Sequence, residues 1–556
     1  MNKVTAHENY TVLALQCLTD RGERDAIVAG ERRISGTEAV TTVLRLAAAL
    51  RRRGMADGEG VALFVENSPE ALLLQLAVHF AGCRMVFVPP EPGNSELEAL
   101  IRRADVQMLL FDPAFEDRTS RIAEQVDLAH LFSIGSSSLA ADFLAAASDS
   151  TPLSLNEAAD GRHIATLLYT GGTTGLPKLV VHGSGSYDGY LRTSHAYADG
   201  APADRSMLIG TLVTHTSGHA AFLVGVLSGH TIVLLRTFDA DTALAVMARE
   251  CVSRMIVVTP MLYELLDDPD CLPGRFPALT HLLYGGAAAS PPRLRQAIER
   301  LGPVLHQIYA ASETGLVAEL TPAEHDLRRL ESLTSCGRPG LGVDVELRDE
   351  DGRAVPVGQL GELYVRSPTV MEGYWNDPEG TAEVLDGAGW YRSGDIARQD
   401  ESGYLYLVDR ARDIIVTGRT ADNVYSRLLD DFLAAHPALK DGAAIGLPGD
   451  DDRESVHVVL VPRDPARAPD LARLTREIVD ALGDLYRPAS YSIADSLPRT
   501  AVGKTDKKAL RASLLTARTC PRPQLRPGGQ ARTAAGQEAG PVPPALLRGR
   551  PQPAGK

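Results

Sequence analysis

Residues 167–181 read LLYTGGTTGLPKLVV: a hydrophobic strand runs into Thr170, Gly171, Gly172, Thr173, Thr174 and Gly175, with Lys178 three residues on. Glycines let successive backbone N–H groups converge on an anion, threonine hydroxyls add donors, and lysine adds a positive charge. That combination describes a polyphosphate cradle. It is not a Walker loop, because G-x-x-x-x-G-K followed by Ser or Thr is absent. A glycine cluster by itself is more often a hairpin turn; the T-T-G-x-P-K continuation behind a strand reverses that preference.

Three further segments follow in order: IYAASETG at 308–315, GWYRSGDIARQDESGYLYLVDRARD at 389–413, and LPRTAVGKTDKKALR at 497–511. With them the chain resembles the adenylate-forming superfamily of acyl-CoA synthetases, non-ribosomal adenylation domains and luciferases. The phosphate loop of that superfamily reads approximately T/S-S/G-G-T/S-T/S-G-x-P-K-G. The resemblance covers nearly all of 1–516 and none of the remainder. It implies an ATP-dependent ligase that activates a carboxylic acid, aromatic or fatty, as acyl-AMP with release of pyrophosphate.

The resemblance also implies roles for individual residues. Tyr309, Ala310, Ala311 and Ser312 pack around adenine, and Glu313 supplies a carboxylate to Mg²⁺, a hard cation that prefers oxygen ligands. Asp395 takes the two ribose hydroxyls, for which a two-oxygen acceptor is well suited. Arg410 contacts ribose and phosphate. Lys504 reaches the carboxylate and the α-phosphate as pyrophosphate leaves, where a point charge on a flexible stem is useful. His215, in T-H-T-S-G-H, stands beside the carboxylate tunnel; the plainer alternative is a capped core histidine, with His219 as its substitute. Gly285, Gly286 and Ala287 floor the acyl and adenine pockets, although packing alone also explains small residues there. Arg412 falls at the hinge about which the small domain turns.

One stretch departs from the pattern. CoA ligases of the superfamily commonly read G-G-x-N-I/V-x-P-x-E-I/V-E after the joint, whereas residues 418–428 here read GRTADNVYSRL. Arg419 replaces the second glycine, two residues are inserted, Ser426 replaces proline and Leu428 the first glutamate. A glycine facing a narrow thiol channel cannot become arginine without filling space or adding charge. CoA is therefore the default acceptor, with rivals: an amine, a carrier-protein thiol, or activation of nitrite to diazotise an aryl amine, as in bacterial natural-product pathways. A non-catalytic nucleotide-binding relative is the alternative of another class. Retention of Glu313 and Lys504 argues against it.

The elements that must position these residues are α/β. Short apolar runs at 61–66, 85–89, 108–112 and 231–235 read as buried strands, and 69–81 and 95–104 as helices, the latter entered through Ser95 with Glu98 three residues on. A helix running into a strand recurs over 240–258, and the pattern returns near 280–283. Strand-helix alternation predicts stacked α/β layers around largely parallel sheet. Past residue 337 alternating apolar residues with D-G and S-G turns predict a β-rich antiparallel subdomain. After residue 415 a helix (427–435), strands at 443–447 and 456–461, and helices near 471–482 and from 507 form a small α+β unit, mobile by resemblance. The expected division is 1–410, 411–516, and a disordered tail over 517–556.

Composition sets outer bounds. The chain has 556 residues, 44% hydrophobic and 23% charged, with a mean hydropathy of -0.07, which is the profile of folded protein. A net charge of -15 argues against a general nucleic-acid binder. Basic residues of the tail are diluted by proline and glycine and lack interleaved aromatics. The six cysteines (Cys17, Cys83, Cys251, Cys271, Cys336, Cys520) are scattered without zinc spacing, which fits a reducing cytoplasm. No secretory leader and no membrane span are evident.

Overall fold

The computed structural model describes residues 9–90, 92–170, 178–198, 205–328, 332–410, 413–417, 422–448, 454–465, 467, 469–499 and 505–519. The chain divides into two units, Met1–Ala512 and Ser513–Lys556, and the sheets and the candidate site belong to the first. The expected tail, apart from residues 517–519, lies outside the described residues.

Two large mixed sheets dominate. The nine-stranded sheet runs from Arg338–Pro339 through Gly315–Leu320, Leu305–Ala311, His281–Gly285, Arg254–Val258, Ser206–Ile209, Thr231–Leu234 and Asp25–Ala29 to Arg32–Ser35. The seven-stranded sheet runs from Gly373–Tyr374 through Lys178–Gly183, Ala165–Thr170, Arg84–Phe87, Gly60–Phe64 and Val106–Phe111 to His130–Ser133. Each is parallel in its interior, and each has antiparallel strands at an edge.

Strand residues alternate between two apolar clusters, as a period of two demands. Val61 and Leu63 point into the cluster shared with Ile209 and Ile232 of the other sheet, while Ala62 and Phe64 point to the opposite face. The helix Pro69–Phe80 belongs to the shared cluster and is buried on all sides. Its sequence PEALLLQLAVHF is apolar all round for that reason. Truncating a fully buried leucine such as Leu72 would cost about 2–5 kcal/mol.

The expected buried strands and the helix over 69–81 are present within a residue or two. One detail is corrected. The next helix is Asn94–Arg103, entered from Gly93 with no side-chain cap, so Ser95 lies inside the first turn and does not cap it. Glu98 therefore closes no capping box. Glu96, in that turn, accepts a hydrogen bond from the Tyr169 hydroxyl at 2.8 Å.

The β-rich part is a four-stranded antiparallel sheet, Asp344–Arg348, Leu360–Arg366, Tyr391–Gln399 and Leu405–Arg410. Beyond it come the hairpin Ile414–Thr417 with Asp422–Tyr425, the helix Ser426–Ala435, a three-stranded sheet, and the helices Leu471–Leu482 and Lys507–Thr519. Among the described residues, no helix is long and apolar enough to cross a membrane.

Candidate active site

Both halves of the candidate site lie where a parallel sheet turns antiparallel. In the seven-stranded sheet, Ala165–Thr170 pairs with Lys178–Gly183, and Thr170 stands opposite Lys178. The Thr170 hydroxyl is 3.5 Å from the Lys178 carbonyl. The two residues therefore bracket the glycine-rich segment; Gly171, Gly172, Thr173, Thr174 and Gly175 themselves lie outside the described residues, as do Arg412 and Lys504. In the nine-stranded sheet the equivalent edge is Leu305–Ala311 against Gly315–Leu320, with a register shift after Tyr309. Gly315 closes that turn at φ +64°, a conformation that favours glycine.

The 312–315 turn is tied down from three directions. His182 Nε2 donates to the Ser312 carbonyl at 2.6 Å, and the Thr216 and Ser312 hydroxyls are 2.9 Å apart. Thr369 donates its hydroxyl to the Thr314 carbonyl at 2.7 Å, and the Met371 N–H donates to the Glu313 carbonyl at 2.8 Å. Glu313 is thereby aimed at Tyr374, whose hydroxyl is 3.5 Å from Oε1. Tyr374 in turn offers its ring to Lys178, whose Nζ sits 4.2 Å from the centroid, a cation–π contact. One tyrosine thus bridges the phosphate lysine and the carboxylate expected to bind the metal.

Asp395 and Arg410 are cross-strand partners in the four-stranded sheet. Arg410 Nε is 2.6 Å from Asp395 Oδ1, and the Tyr309 hydroxyl donates to Oδ2. Asp395 is 6% exposed. A carboxylate can accept about four hydrogen bonds, so both oxygens keep capacity for a diol. Burial, with Asp395 alongside, pushes the Tyr309 phenol well above its ordinary value and keeps it a neutral donor. Strand register joins 395 to 410, and the Tyr309 hydroxyl reaches them from the nine-stranded sheet.

Glu313 is set differently. Burial raises its carboxyl above the ordinary value, and Arg410 and Lys178 only partly offset this. A carboxylate withdrawn from water, with a backbone hydrogen bond and a phenol 3.5 Å away as partners, keeps acceptor capacity that suits a cation arriving with its own phosphate and water ligands. No group of three or more His, Cys, Asp or Glu side chains that could hold a metal occurs among the described residues; one carboxylate with substrate oxygens is a usual arrangement for Mg²⁺.

The remaining candidates fall nearby in the chain's own architecture. Gly285, Gly286 and Ala287 end the strand His281–Gly285, and the Thr259 hydroxyl fastens the carbonyls of Gly285 at 3.2 Å and Ala287 at 2.7 Å. A Cβ on Gly285 would stand 2.4 Å from the Ile308 carbonyl oxygen, so glycine is required for strand approach. Ala310 is exposed and Ala311 half-buried at the end of their strand. His215 is the N-cap of the helix Thr216–Leu227, its Nδ1 accepting from the Ser217 N–H at 3.3 Å. His219 is instead the core histidine: it bonds Gln75 at 2.8 Å and Tyr187 at 3.1 Å, and burial lowers its imidazole well below the usual value. Tyr374 and His182 are functional candidates that the motifs did not single out. An aromatic residue in EGYWN and a histidine after a phosphate loop carry no distinguishing pattern.

Known proteins resemble this chain along most of its length. The AMP-binding enzyme family model matches residues 15–375, and the AMP-binding enzyme C-terminal domain matches 429–504. The medium/long-chain-fatty-acid–CoA ligase FadD8 of Mycobacterium tuberculosis is 34% identical over 518 residues, covering 90% of this chain and 89% of the relative. The amide bond synthetase McbA from Marinactinospora thermotolerans superposes with a TM-score of 0.81 at 35% identity, covering 90% of this chain and 99% of that one. The o-succinylbenzoate coenzyme A synthetase MenE from Bacillus subtilis, in complex with ATP and magnesium ion, superposes at 0.77 with 25% identity, covering 90% and 99%.

Proposed function

The chain belongs to the AMP-binding enzyme family and is an ATP-dependent, AMP-forming ligase, and we propose that it activates a carboxylic acid, aromatic or fatty, whose acyl group then passes to CoA. The observation that carries the adenylation step is the joined set Tyr309–Asp395–Arg410 beside Glu313.

In this reading ATP lies across that set, with adenine against Tyr309, Ala310 and Ala311 and the ribose diol on Asp395. Thr170, the 171–175 glycine-threonine run and Lys178 hold the phosphates. The acid's carboxylate oxygen attacks the α-phosphorus, a P–O bond forms, and the bond to the β-phosphate oxygen breaks. Arg410 and Lys504 carry the charge that develops. Glu313 holds Mg²⁺, which when bound neutralises phosphate charge. His215, at the head of its helix, stands on the acid's path. Division into 1–410, 411–516 and a tail over 517–556, with Arg412 as hinge and a cytoplasmic location, completes the proposal.

CoA is the first acceptor because FadD8 is a CoA ligase with similarity along most of the chain. A second reading, transfer to an amine, is favoured by two observations: Arg419, Ser426 and Leu428 alter the segment that follows the joint, and McbA is an amide bond synthetase. Incubation with ATP, an acid panel, and either CoA or a primary amine separates the two by product. A thioester formed at the rate of pyrophosphate release supports the first; amide without thioester overturns it in favour of the second.

A further inference from the structure

The short strand Gly373–Tyr374 is stitched to both charged ends of the candidate site. Tyr374 stands opposite Val180 on the strand Lys178–Gly183, so Lys178, two residues before Val180, lies on the same face as the Tyr374 ring. The Glu372 N–H donates to the Val181 carbonyl at 2.9 Å, and the Trp375 N–H to the Leu179 carbonyl at 2.8 Å. On the other side, the Met371 N–H reaches the Glu313 carbonyl at 2.8 Å. Residues 371–375 thus run from the turn of Glu313 to the strand of Lys178.

Tyr374 is 8% exposed, whereas Lys178 and Glu313 are each only half-buried. Its ring face takes Lys178, with Nζ 4.2 Å from the centroid, and its hydroxyl donates to Glu313 Oε1 at 3.5 Å. With that proton committed, the Tyr374 oxygen accepts from the Tyr391 hydroxyl. Tyr391 begins the strand Tyr391–Gln399, which also carries Asp395. Burial, with the Glu313 charge alongside, raises both phenols, so each keeps the proton it donates.

One pairing is not made. Lys178 is near enough to act on the Glu313 carboxyl through its charge, yet no ion pair joins the two among the described residues; each touches the tyrosine between them. A half-buried ammonium and carboxylate with nothing between them pair directly, and a ligand then has to break that pair to use either group. An aromatic ring with a hydroxyl offers each charge a matched surface, the electron-rich face for the cation and the O–H for the anion.

Resting on the reading that Lys178 holds phosphate and Glu313 holds Mg²⁺, we propose that Tyr374 is a positioning residue that keeps these two opposite charges apart. Each is thereby presented to its own part of the nucleotide before the nucleotide arrives. Tyr391 fixes the direction of the Tyr374 hydroxyl.

The test is calorimetric titration of the ligand-free protein with ATP, once in EDTA and once with excess Mg²⁺, without any acid so that nothing turns over. Wild-type protein binds ATP more tightly with Mg²⁺. Tyr374→Phe keeps the ring for Lys178 and removes the hydroxyl from Glu313. Its affinity in EDTA is unchanged, and the gain from Mg²⁺ falls about tenfold. Tyr374→Leu removes both contacts, the two charges pair, and affinity in EDTA also falls about tenfold. Adding Glu313→Gln to Tyr374→Leu restores the affinity in EDTA, because Lys178 loses its new partner; a general loss of packing gives no such rescue. A wild-type gain from Mg²⁺ in Tyr374→Phe overturns the proposal. So does an unchanged affinity in EDTA for Tyr374→Leu, or the lack of rescue in the double variant. Absence of ATP binding by the wild type, or of any gain from Mg²⁺, overturns instead the nucleotide and metal reading beneath it.

Discussion

The nucleotide edge and the segment after the joint have been held to different standards. At the edge, Tyr309, Asp395 and Arg410 come from three separated strands and are already bonded to one another, and Glu313 is fixed by contacts from residues 182, 216, 369 and 371. After the joint, the family's glycine, proline and glutamate have become Arg419, Ser426 and Leu428. Ser426 is well partnered: its hydroxyl is 3.1 Å from Asp409 and receives the Lys507 ammonium at 2.7 Å, and Lys507 also pairs with Asp430 at 2.6 Å. On the proposed reading, the residues that hold nucleotide charge follow the family's pattern while the sequence after the joint departs from it. A shared first half-reaction does not require a shared acceptor.

Breaking the nucleotide side should give the largest effects. Lys504→Ala should slow acyl-AMP formation by about 10²–10³, measured as pyrophosphate exchange. Asp395→Asn should lower kcat/KM for ATP by about 10–100-fold, since charge-assisted hydrogen bonds contribute roughly 1.5–3 kcal/mol; steady-state kinetics with ATP varied checks this. The altered side should respond more gently and in the opposite sense. Arg419→Gly should raise the thioester-to-amide product ratio about tenfold, equivalent to about 1.4 kcal/mol, read by chromatography of products formed with CoA and amine together. An unchanged ratio would show that Arg419 does not set the acceptor.

Two predictions concern the cost of holding the site. Gly285→Ala should cost about 1–3 kcal/mol in denaturant unfolding, because its Cβ meets the Ile308 backbone oxygen. Glu313 has a smaller, pH-dependent signature. Its folded value is raised by burial, so the stability it contributes is fully present below its ordinary value of about 4.3 and is lost as pH rises through the folded value. Activity on the proposed reading needs the ionised form, which Mg²⁺ would itself favour, so the raised value governs the stability of the ligand-free protein. Glu313→Gln should lose most exchange while flattening the dependence of Tm on pH above the ordinary carboxylate range.

Much of this was legible in the chain because each feature announces itself locally. Strands such as Gly60–Phe64 are buried on both faces and so appear as unbroken apolar runs. The helix Asn94–Arg103 is entered two residues before its expected cap, because Ser95 and Glu98 have capping chemistry, yet Gly93 makes the entry without a side chain. Asp395 and Arg410 were identifiable by motif, but their pairing depends on antiparallel register, which no local pattern encodes. Tyr374 and His182 carry no local signal for a related reason. Each acts through neighbours nearly two hundred residues distant or on another sheet: Tyr374 touches Lys178, and His182 touches Ser312.

Acid-dependent exchange of labelled pyrophosphate into ATP, run with Mg²⁺ and without CoA or amine, bears most directly on the adenylation site. Wild-type protein should exchange with at least one acid of an aromatic and fatty panel, and Asp395→Asn and Glu313→Gln should each reduce that rate by at least about tenfold. Exchange by both variants at the wild-type rate, or no exchange with any acid, would contradict it.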